Sequence, residues 1–593
     1  MQGFAKARER PGYAESRQTM SSTFGGLEIA FSSLQAQQRA LDITGQNLAN
    51  ANTPGYVRQT ATLTEGPDAA IAGMDGQMGS GVIASGVERQ ADPFLTSLVN
   101  QQSSQLSQWQ TTDNALQQIE SVFNEPSTNG LQSAMDSFWS SWQALANNPQ
   151  DNGARAAVVA QGYNLASDIR SAYQNLAGMV QNTDASISQN VSSFNSLANQ
   201  VASLNGQIVS ANGQGNPSNS LLDQRDQLIN QMSQLANISV QNNADGSASI
   251  FIGGVAVVNG QSTVNLQANV AASLPLAEVD NGSNNASVTA PLGYTGTPTI
   301  NGHTINVTAN ESLADIVNAI NQTAGIGVTA NITTGNALQI IGNDPGQTIS
   351  YTDSGSVLKN LGLLTSGGAV ANQVQGALAT PTEITFAGLG SLQASITSGT
   401  LGSELQLVNQ TITDTAGGGT GYLDQLNTLA NQIMSQVNTL HTSGYDLNGN
   451  PGQDFFVGTS AQDMQVSSAI QNDLSLVAAA GYPNSPADGS EALSIANVQN
   501  TALGNVGGQT LGGYYQGIIS NLGVAAQQSG QMVSQNTLLS TTLTNQLQGV
   551  SGVSIDQEAT KMIEYQQAYS AAATFESTVN SMIGGLITAL GGA

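Results

Sequence analysis

The chain offers few side chains that could carry out acid–base, nucleophilic or metal chemistry. It has no cysteine, so thiolate catalysis and disulfide bonds are excluded. Its two histidines, His303 and His441, are far apart in sequence. We assign the first to a Gly/Asn turn and the second to a helix end, as surface residues or as a partner of the helix C-terminal dipole. Zinc sites are built mainly from cysteine and histidine ligands. We therefore predict no catalytic residue, no metal site and no cofactor.

One stretch imitates the start of a calcium-binding loop. Asp446, Asn448 and Asn450 stand at alternate positions, as the first ligands of such a loop do. The sixth position, which requires glycine, is Pro451, and the twelfth, which requires glutamate, is Val457. The stretch is therefore interpreted as a turn.

The remaining carboxylates also have ordinary explanations. Glu558 and Glu564 flank Lys561 at helical spacing, which is typical of solvated pairs on a helix surface. Asp344 and Asp353 lie in the middle of the chain, where a hydrolase would need a carboxylate pair, but the residues around them indicate turns. No Ser/His/Asp arrangement can be argued from the sequence.

The composition excludes some classes of partner. The 593 residues carry a net charge of −27, and only 9% of them are charged. Phosphate backbones are bound by clustered lysine and arginine, so we predict no nucleic-acid partner. Residues 1–20 lack the apolar segment of a secretory signal, and the longest apolar runs are far short of the ~20 residues that cross a bilayer. We expect no membrane insertion, and either a cytoplasmic location or export by a route without a cleaved signal peptide.

Residues 1–19 differ from the rest of the chain. They hold four of the twelve basic residues, Lys6, Arg8, Arg10 and Arg17, and no helical or strand periodicity. We interpret them as a disordered extension, with Met20 as a candidate natural start. The alternative is a functional basic arm.

Leucine recurs at every seventh position near the start of the chain, at Leu27, Leu34, Leu41 and Leu48, with Phe31 beside the row. A strict seven-residue repeat keeps one side of a helix turned toward a partner helix. The row is narrow, which favours packing against another helix over the alternative of an ordinary amphipathic helix on its own domain.

The stretch NANTPGY, residues 50–56, ends this helix. Pro54 disfavours helical geometry at Thr53. Thr53, Pro54, Gly55 and Tyr56 fit a type II turn, with proline second and glycine third, where φ is positive. The following residues alternate as in a strand. We predict that Asn52 and these four residues form an elbow turn between a terminal helix and the next domain.

The body of the chain changes character twice. Apolar residues at three- and four-residue steps predict helices over about 95–124, 131–145, 187–208 and 221–236. From about 241 to 404 the chain is rich in Gly, Thr, Val and Asn, which predicts strands. Helical spacing then returns. The last helix carries an apolar stripe of Met562, Tyr565, Tyr569, Ala572, Val579, Ile583 and Leu586.

These patterns predict a mixed α and β fold, layered and elongated, in which long helical rods and coiled-coil-like terminal helices carry β-rich inserted outer domains. We expect 1–19 to be the extension, 20–60 with 550–593 to be paired terminal helices, 61–240 with 405–549 to be an elongated, mainly helical domain, and 241–404 to be one or more β-rich outer domains. The leucine row and the C-terminal stripe should pair with each other, stably only in an assembled tube.

Several stretches together resemble one family. LDITGQNLANANTPGYVRQ and GSGVIASGVERQADPF resemble the N-terminal signature of flagellar rod, hook and hook-associated proteins. LLDQRDQL, NTLHTSGYDLNGNPGQDFF and EATKMIEYQQAYSAAATF resemble the hook-associated members, over about 21–265 and 420–593. Within 241–404, the segment beginning INGHTINVTANESLADIV is similar to the insertion motif of flagellins.

The resemblance implies a structural, non-enzymatic subunit of the bacterial flagellum, outside the cell, that joins hook to filament. It implies as partners further copies of the chain in a ring or tube, the hook protein, a second hook-associated junction protein, and a cytoplasmic export chaperone on the C-terminal helix. The alternative is a secreted protein of the family whose middle block is an adhesin or a wall-degrading enzyme.

Overall fold

A computed structural model describes residues 25–70, 77–270, 279–284, 286–323, 326, 328–333, 336–342, 349–374, 381–415 and 419–591. The predicted extension 1–19 and Met20 lie outside these residues. The chain divides into two compact units. The first takes the residues up to Val99, Gln207–Gln227 and the residues from Thr541 onward, and the second takes Asn100–Gly206 and Leu228–Ser540.

Helices supply most of the regular structure. They are α1 (Gly25–Ala49), α2 (Pro93–Phe123), α3 (Leu131–Asn147), α4 (Asn152–Gly213), α5 (Asn219–Leu235), α6 (Leu313–Asn321), α7 (Val357–Asn360), α8 (Gly399–Gln406), α9 (Tyr422–Ser443), α10 (Ser468–Asn472), α11 (Ser490–Asn497), α12 (Leu511–Ser551) and α13 (Ile555–Gly591). A π-helical segment, Leu407–Ile412, follows α8, and short 3₁₀ turns lie at Ser354–Ser356, Leu474–Leu476, Val498–Asn500 and Gly504–Val506.

Strands are short and form small sheets. The first are β1 (Gln59–Glu65), β2 (Asp68–Ala70), β3 (Gln77–Gly79), β4 (Val82–Arg89), β5 (Ser239–Asn242), β6 (Ala248–Ile252), β7 (Val255–Asn259), β8 (Ser262–Thr263), β9 (Leu266–Asn269) and β10 (Val279–Asn281). The others are β11 (Thr299–Ile300), β12 (His303–Thr304), β13 (Val328–Ile332), β14 (Leu338–Gly342), β15 (Tyr351–Thr352), β16 (Asn372–Val374), β17 (Glu383–Phe386), β18 (Phe456–Val457) and β19 (Gln465–Val466).

The described strand pairs are antiparallel. Four-stranded sheets have the orders β5-β6-β7-β8 and β13-β14-β10-β16, and a three-stranded sheet has the order β12-β11-β15. Two-stranded sheets pair β1 with β4, β2 with β3, β17 with β9 and β18 with β19. Most of the described strands therefore lie at the edge of their sheet.

The second unit contains two hydrophobic cores. The larger one combines helical residues such as Trp142, Phe194 and Leu426 with strand residues such as Ile250 and Phe386. The strands before 270 and after 382 therefore share a core with the helices. The separate β-rich part is therefore smaller than the block 241–404 that the sequence suggested.

The smaller core belongs to a lobe of residues 279–374. It is built from strands β11, β13 and β14 and helix α6, with Leu313, Ile316, Ile320, Leu338 and Ile340 fully or almost fully buried. Ser312 and Asp315 form a capping box at the start of α6, which fixes where that helix begins. The lobe begins and ends on neighbouring strands, because β10 pairs with β16.

Of the two roles predicted for His441, that of a surface residue is wrong. It lies in the last turn of α9, but its ring has no exposed surface and contacts Trp142 and Phe455. Nε2 accepts a hydrogen bond from the Ala478 amide at 2.9 Å, and Nδ1 faces the carbonyl of Gln453, so Nδ1 carries the proton. Burial lowers the pKa of His441 to about 4.

The DLNGNPG stretch is a turn, as predicted. The carboxylate of Asp446 accepts the backbone amides of Asn448 and Asn450, at 2.8 and 2.9 Å. An aspartate that receives the amides of its own loop is a common way to close a turn.

The prediction of a mixed α and β fold is confirmed: long helices combine with several small sheets. In the part of the chain that the structure describes, no helix has the length and apolarity needed to cross a membrane.

Candidate functional site at the junction of the terminal helices

In the first unit the two terminal helices, α1 and α13, pack against each other. A Cβ added at Gly26 would lie 3.4 Å from Val579, and Asn47 at the other end of α1 hydrogen-bonds Glu558. These two contacts are 21 residues apart on each helix and in opposite directions, so the helices run antiparallel for about 30 Å. Twenty-one residues are three heptads, which is the spacing of coiled-coil-like packing.

Small residues, rather than the predicted leucines, form the most deeply buried face of α1. Its buried positions are Ala30, Ala36, Ala40, Ile43, Thr44 and Asn47. Leu27, Leu34, Leu41 and Leu48 are half-buried, and Phe31 is 56% exposed. Strands β1 and β4 also pack on α1, so the helix is covered from more than one side.

The predicted C-terminal stripe is partly covered. Met562, Tyr565, Ala572, Val579 and Ile583 are half-buried, whereas Tyr569 is 39% and Leu586 45% exposed. Other apolar side chains of α13 also remain open to solvent: Ile563, Phe575, Met582 and Ile587. We call these four, with Phe31 and Leu586, the open apolar stripe; at 3.6 residues per turn, Phe575, Met582 and Leu586 share one face of α13.

The elbow follows α1 directly. The Tyr56 amide donates to the Thr53 carbonyl at 3.2 Å, and Gly55 has φ of 78°, the left-handed value that the third position of a type II turn requires. Asn52, Thr53 and Pro54 are exposed. The turn therefore redirects the chain at the surface, without burying its own peptide groups.

A polar network ties the elbow to the start of α13. Arg58 Nε donates to Glu558 Oε1 at 2.9 Å, and Asn47 Nδ2 donates to Glu558 Oε2 at 2.9 Å. Tyr56 donates its hydroxyl to Asn47 Oδ1 at 2.9 Å. The side chain of Glu558 is 1% exposed and that of Arg58 17%. We call these four residues the terminal joint. Burial raises the pKa of Tyr56, and the negative charges of Asp223 and Glu558 raise it further.

A second group of ion pairs joins strand β4 to helix α5. Arg89, in β4, places Nη2 2.6 Å from Asp223 Oδ1 and 2.9 Å from Asp226 Oδ2. Asp223 Oδ2 in turn accepts the Val57 amide at 3.4 Å. Burial raises the pKa of Asp223, and Arg89 only partly opposes that shift. The residues after the elbow are therefore held by charged groups from two other parts of the sequence.

Sequence reasoning missed the role of Glu558. We predicted a solvated side chain near Lys561, but its carboxylate is buried against Arg58, 500 residues earlier. Spacing on one helix reveals only neighbours on that helix, so it could not find this partner. The available signal was that Arg58 and Glu558 both lie in stretches that resemble the family's sequences, as do Arg89, Asp223 and Asp226.

The arrangement is suited to holding helices. Among the described residues, no group of three or more histidine, aspartate or glutamate side chains could hold a metal ion. What the site offers instead is a fixed elbow, a buried joint between the two ends, and apolar side chains facing solvent. Such exposed apolar surface is typical of protein–protein contact.

Comparison with known families accounts for most of the chain. The family described as the flagellar hook-associated protein FlgK helical domain matches residues 116–338 and 329–456, together more than half of the chain. The flagella basal body rod protein family matches residues 27–56, which are α1 and the elbow. The C-terminal family of basal body rod FlgEFG proteins matches residues 548–589, which include most of α13.

Individual relatives agree with the family matches. The flagellar hook-associated protein 1 of Bacillus subtilis (strain 168) is 28% identical over 587 residues, which are 96% of this chain and 99% of the relative. That of Salmonella typhimurium is 30% identical over 167 residues, covering 28% of this chain and 30% of the relative.

Among solved structures, the flagellar hook junction protein FlgK from Burkholderia pseudomallei is similar in fold. Its TM-score is 0.50 at 17% identity, covering 77% of this chain and all of that one. The chain belongs to the FlgK family of flagellar hook-associated proteins.

Proposed function

We propose that this chain is a structural subunit of the bacterial flagellum, outside the cell, that joins the hook to the filament. Membership of the FlgK family supports this role, and the relatives that match the chain carry the name of hook-associated proteins. The same family supports a non-enzymatic role. The alternative of an adhesin or wall-degrading enzyme has no support from the matched families.

The observation that carries the mechanism is the open apolar stripe. Pairing of α1 with α13 leaves Phe31 56%, Met582 70% and Ile587 63% exposed. Isolated helices this polar are only marginally stable, and exposed apolar area is removed from water when further helices pack on it. We propose that copies of the chain bury the stripe against each other in a ring or tube.

The proposed neighbours in the flagellum are the hook protein on one side and a second hook-associated protein on the other. Before export, a cytoplasmic chaperone would cover α13. The leucine row, the C-terminal stripe and the elbow of Asn52, Thr53, Pro54, Gly55 and Tyr56 are the proposed assembly residues. The terminal joint keeps the two helices in register for that contact.

Immunogold labelling of sheared flagella tests the location. Antibody against the chain should label one position, between the curved hook and the filament, and a strain that lacks the gene should lose both the label and its attached filaments. Label along the whole filament, or normal filaments in the deletion strain, would contradict the proposal.

A separate experiment tests the chaperone. A chain that ends after Gly552 lacks α13 and should no longer be retained by the export chaperone in a pull-down, whereas the full chain should be. Equal retention of both chains would place the chaperone site elsewhere.

A further inference from the structure

Helix α4 is hydrogen-bonded to strand β9 through the side-chain amide of Asn195. Asn195 Nδ2 donates to the Leu266 carbonyl at 2.8 Å, and Asn195 Oδ1 accepts the Leu266 amide at 2.8 Å. The side chain thus binds both backbone polar groups of one residue, as a neighbouring strand would. We call this arrangement an asparagine clamp.

The same clamp recurs in both units, each time from a helical asparagine. Each pair of bonds lies between 2.7 and 3.0 Å, and the pairs are Asn47 with Gln59, Asn205 with Ala248, Asn321 with Ala330, Asn409 with Thr382, and Asn438 with Phe456. In each case the residue whose backbone the asparagine binds lies within a strand or immediately before one.

Strand edges explain why most of the clamps are needed; Ala248 is the exception, because its strand β6 lies inside its sheet. β13 is an edge strand of its sheet, and Ala330 is its central residue. The backbone groups of Ala330 that do not face β14 are taken by Asn321. Among the described strands, β9 pairs with β17 alone, and Asn195 binds the backbone groups of Leu266. Free edge groups would otherwise be a template for pairing with another chain.

We propose that these asparagines are positioning residues: they fix each helix on its strand and, where the strand lies at the edge of a sheet, close that edge to foreign strands, in place of ion pairs. A neutral amide matches both peptide groups at once, and neither salt nor moderate pH changes its bonding. This role fits a chain in which only 9% of the residues are charged.

Asparagine-to-aspartate replacement tests the proposal in the full chain, because aspartate keeps the shape but loses the donor. Asn195→Asp places a carboxylate oxygen against the Leu266 carbonyl. At neutral pH we expect the unfolding equilibrium constant to increase about tenfold or more, since a buried carbonyl loses its partner. Asn182→Asp, at an exposed position of the same helix, is the matched control and should change little.

Acidification separates a clamp from a general packing role. Burial of the new carboxyl raises its pKa, so the folded variant prefers the protonated form, and the variant should regain stability relative to the control as pH falls toward 4. The protonated carboxyl again donates to the carbonyl. Hydrogen exchange at the Leu266 amide should follow the same course.

Two results would overturn the proposal. One is that Asn195→Asp is as stable as the control variant at neutral pH. The other is that its loss of stability relative to the control persists unchanged in acid. If Asn195→Asp is not recovered folded, Asn321→Asp decides by its stability at neutral pH alone, because Asn321 is exposed and lies in the separate lobe of residues 279–374.

Discussion

Replacing Arg58 with glutamine should destabilise the first unit more than replacing its partner Glu558 with glutamine. The two side chains form the ion pair of the terminal joint, at 2.9 Å, but their exposures differ. Arg58→Gln leaves a carboxylate that is 1% exposed, with the Asn47 amide as a remaining donor. Glu558→Gln leaves a guanidinium that is 17% exposed and can reach water.

The magnitudes follow from this asymmetry. Removing one partner of a buried ion pair costs about 3–5 kcal/mol because it leaves an uncompensated charge, and Arg58→Gln should approach the lower end of that range. Glu558→Gln should cost about 1–2 kcal/mol, since the remaining cation is partly hydrated and the side chain keeps its shape. The double variant should cost less than the sum of the two, because no charge is then left alone.

Thermal and urea unfolding of the full chain, with hydrogen exchange at residues 56–60 to localise the effect, measures these differences. Equal losses in the two single variants, or additive losses in the double variant, would refute the idea that a buried, charge-compensated pair holds the joint.

Three further predictions concern other parts of the chain. His441→Gln should remove an acid sensitivity of the parent chain. The pKa of His441 is about 4 in the folded state and about 6.5 in the unfolded state, which gives His441 roughly 3 kcal/mol of stability at neutral pH that is lost as pH falls from about 6.5 to 4. The free energies of unfolding of parent and variant should therefore converge in acid. Met582→Asp should leave thermal unfolding of the monomer unchanged but abolish motility in a complementation assay, whereas Ser581→Asp, one residue away, should not; motility with Met582→Asp would remove the open stripe from the interface. Replacing residues 279–374 with a short Gly/Ser joint should preserve the helical circular dichroism of the remainder, because Val279 and Val374 are paired neighbours and loop closure there costs little; collapse of that signal would show that the lobe supports the larger core.

Local patterns in the sequence carried the prediction of the long helices and of the fold class. Seven-residue and three- or four-residue spacing gave α1, α2 and α13, since burial of one helix face leaves a periodic signature. The Pro54-Gly55 pair placed the turn, because only a few backbone geometries suit those residues.

Long-range partners were beyond the reach of the same reasoning. The sequence treated 241–404 as one β-rich block, yet Ile250 and Phe386 on its flanks lie in the core of the helices. A strand that packs on its own sheet and one that packs on a distant helix show the same alternation. For the same reason His441, in the last turn of a helix, gave no sign that Trp142 and Phe455 enclose it.

The ion pairs of the first unit join parts of the chain that are distant in sequence. Arg58 with Glu558, and Arg89 with Asp223 and Asp226, join four stretches of the first unit. An ion pair rejects every partner of the wrong charge, which gives it a selectivity that apolar packing between similar helices lacks. Asparagine clamps hold helices on strands, where geometry alone selects the partner. A chain that must bring its two ends into one register can therefore use ion pairs at that junction and build other helix–strand contacts from neutral amides.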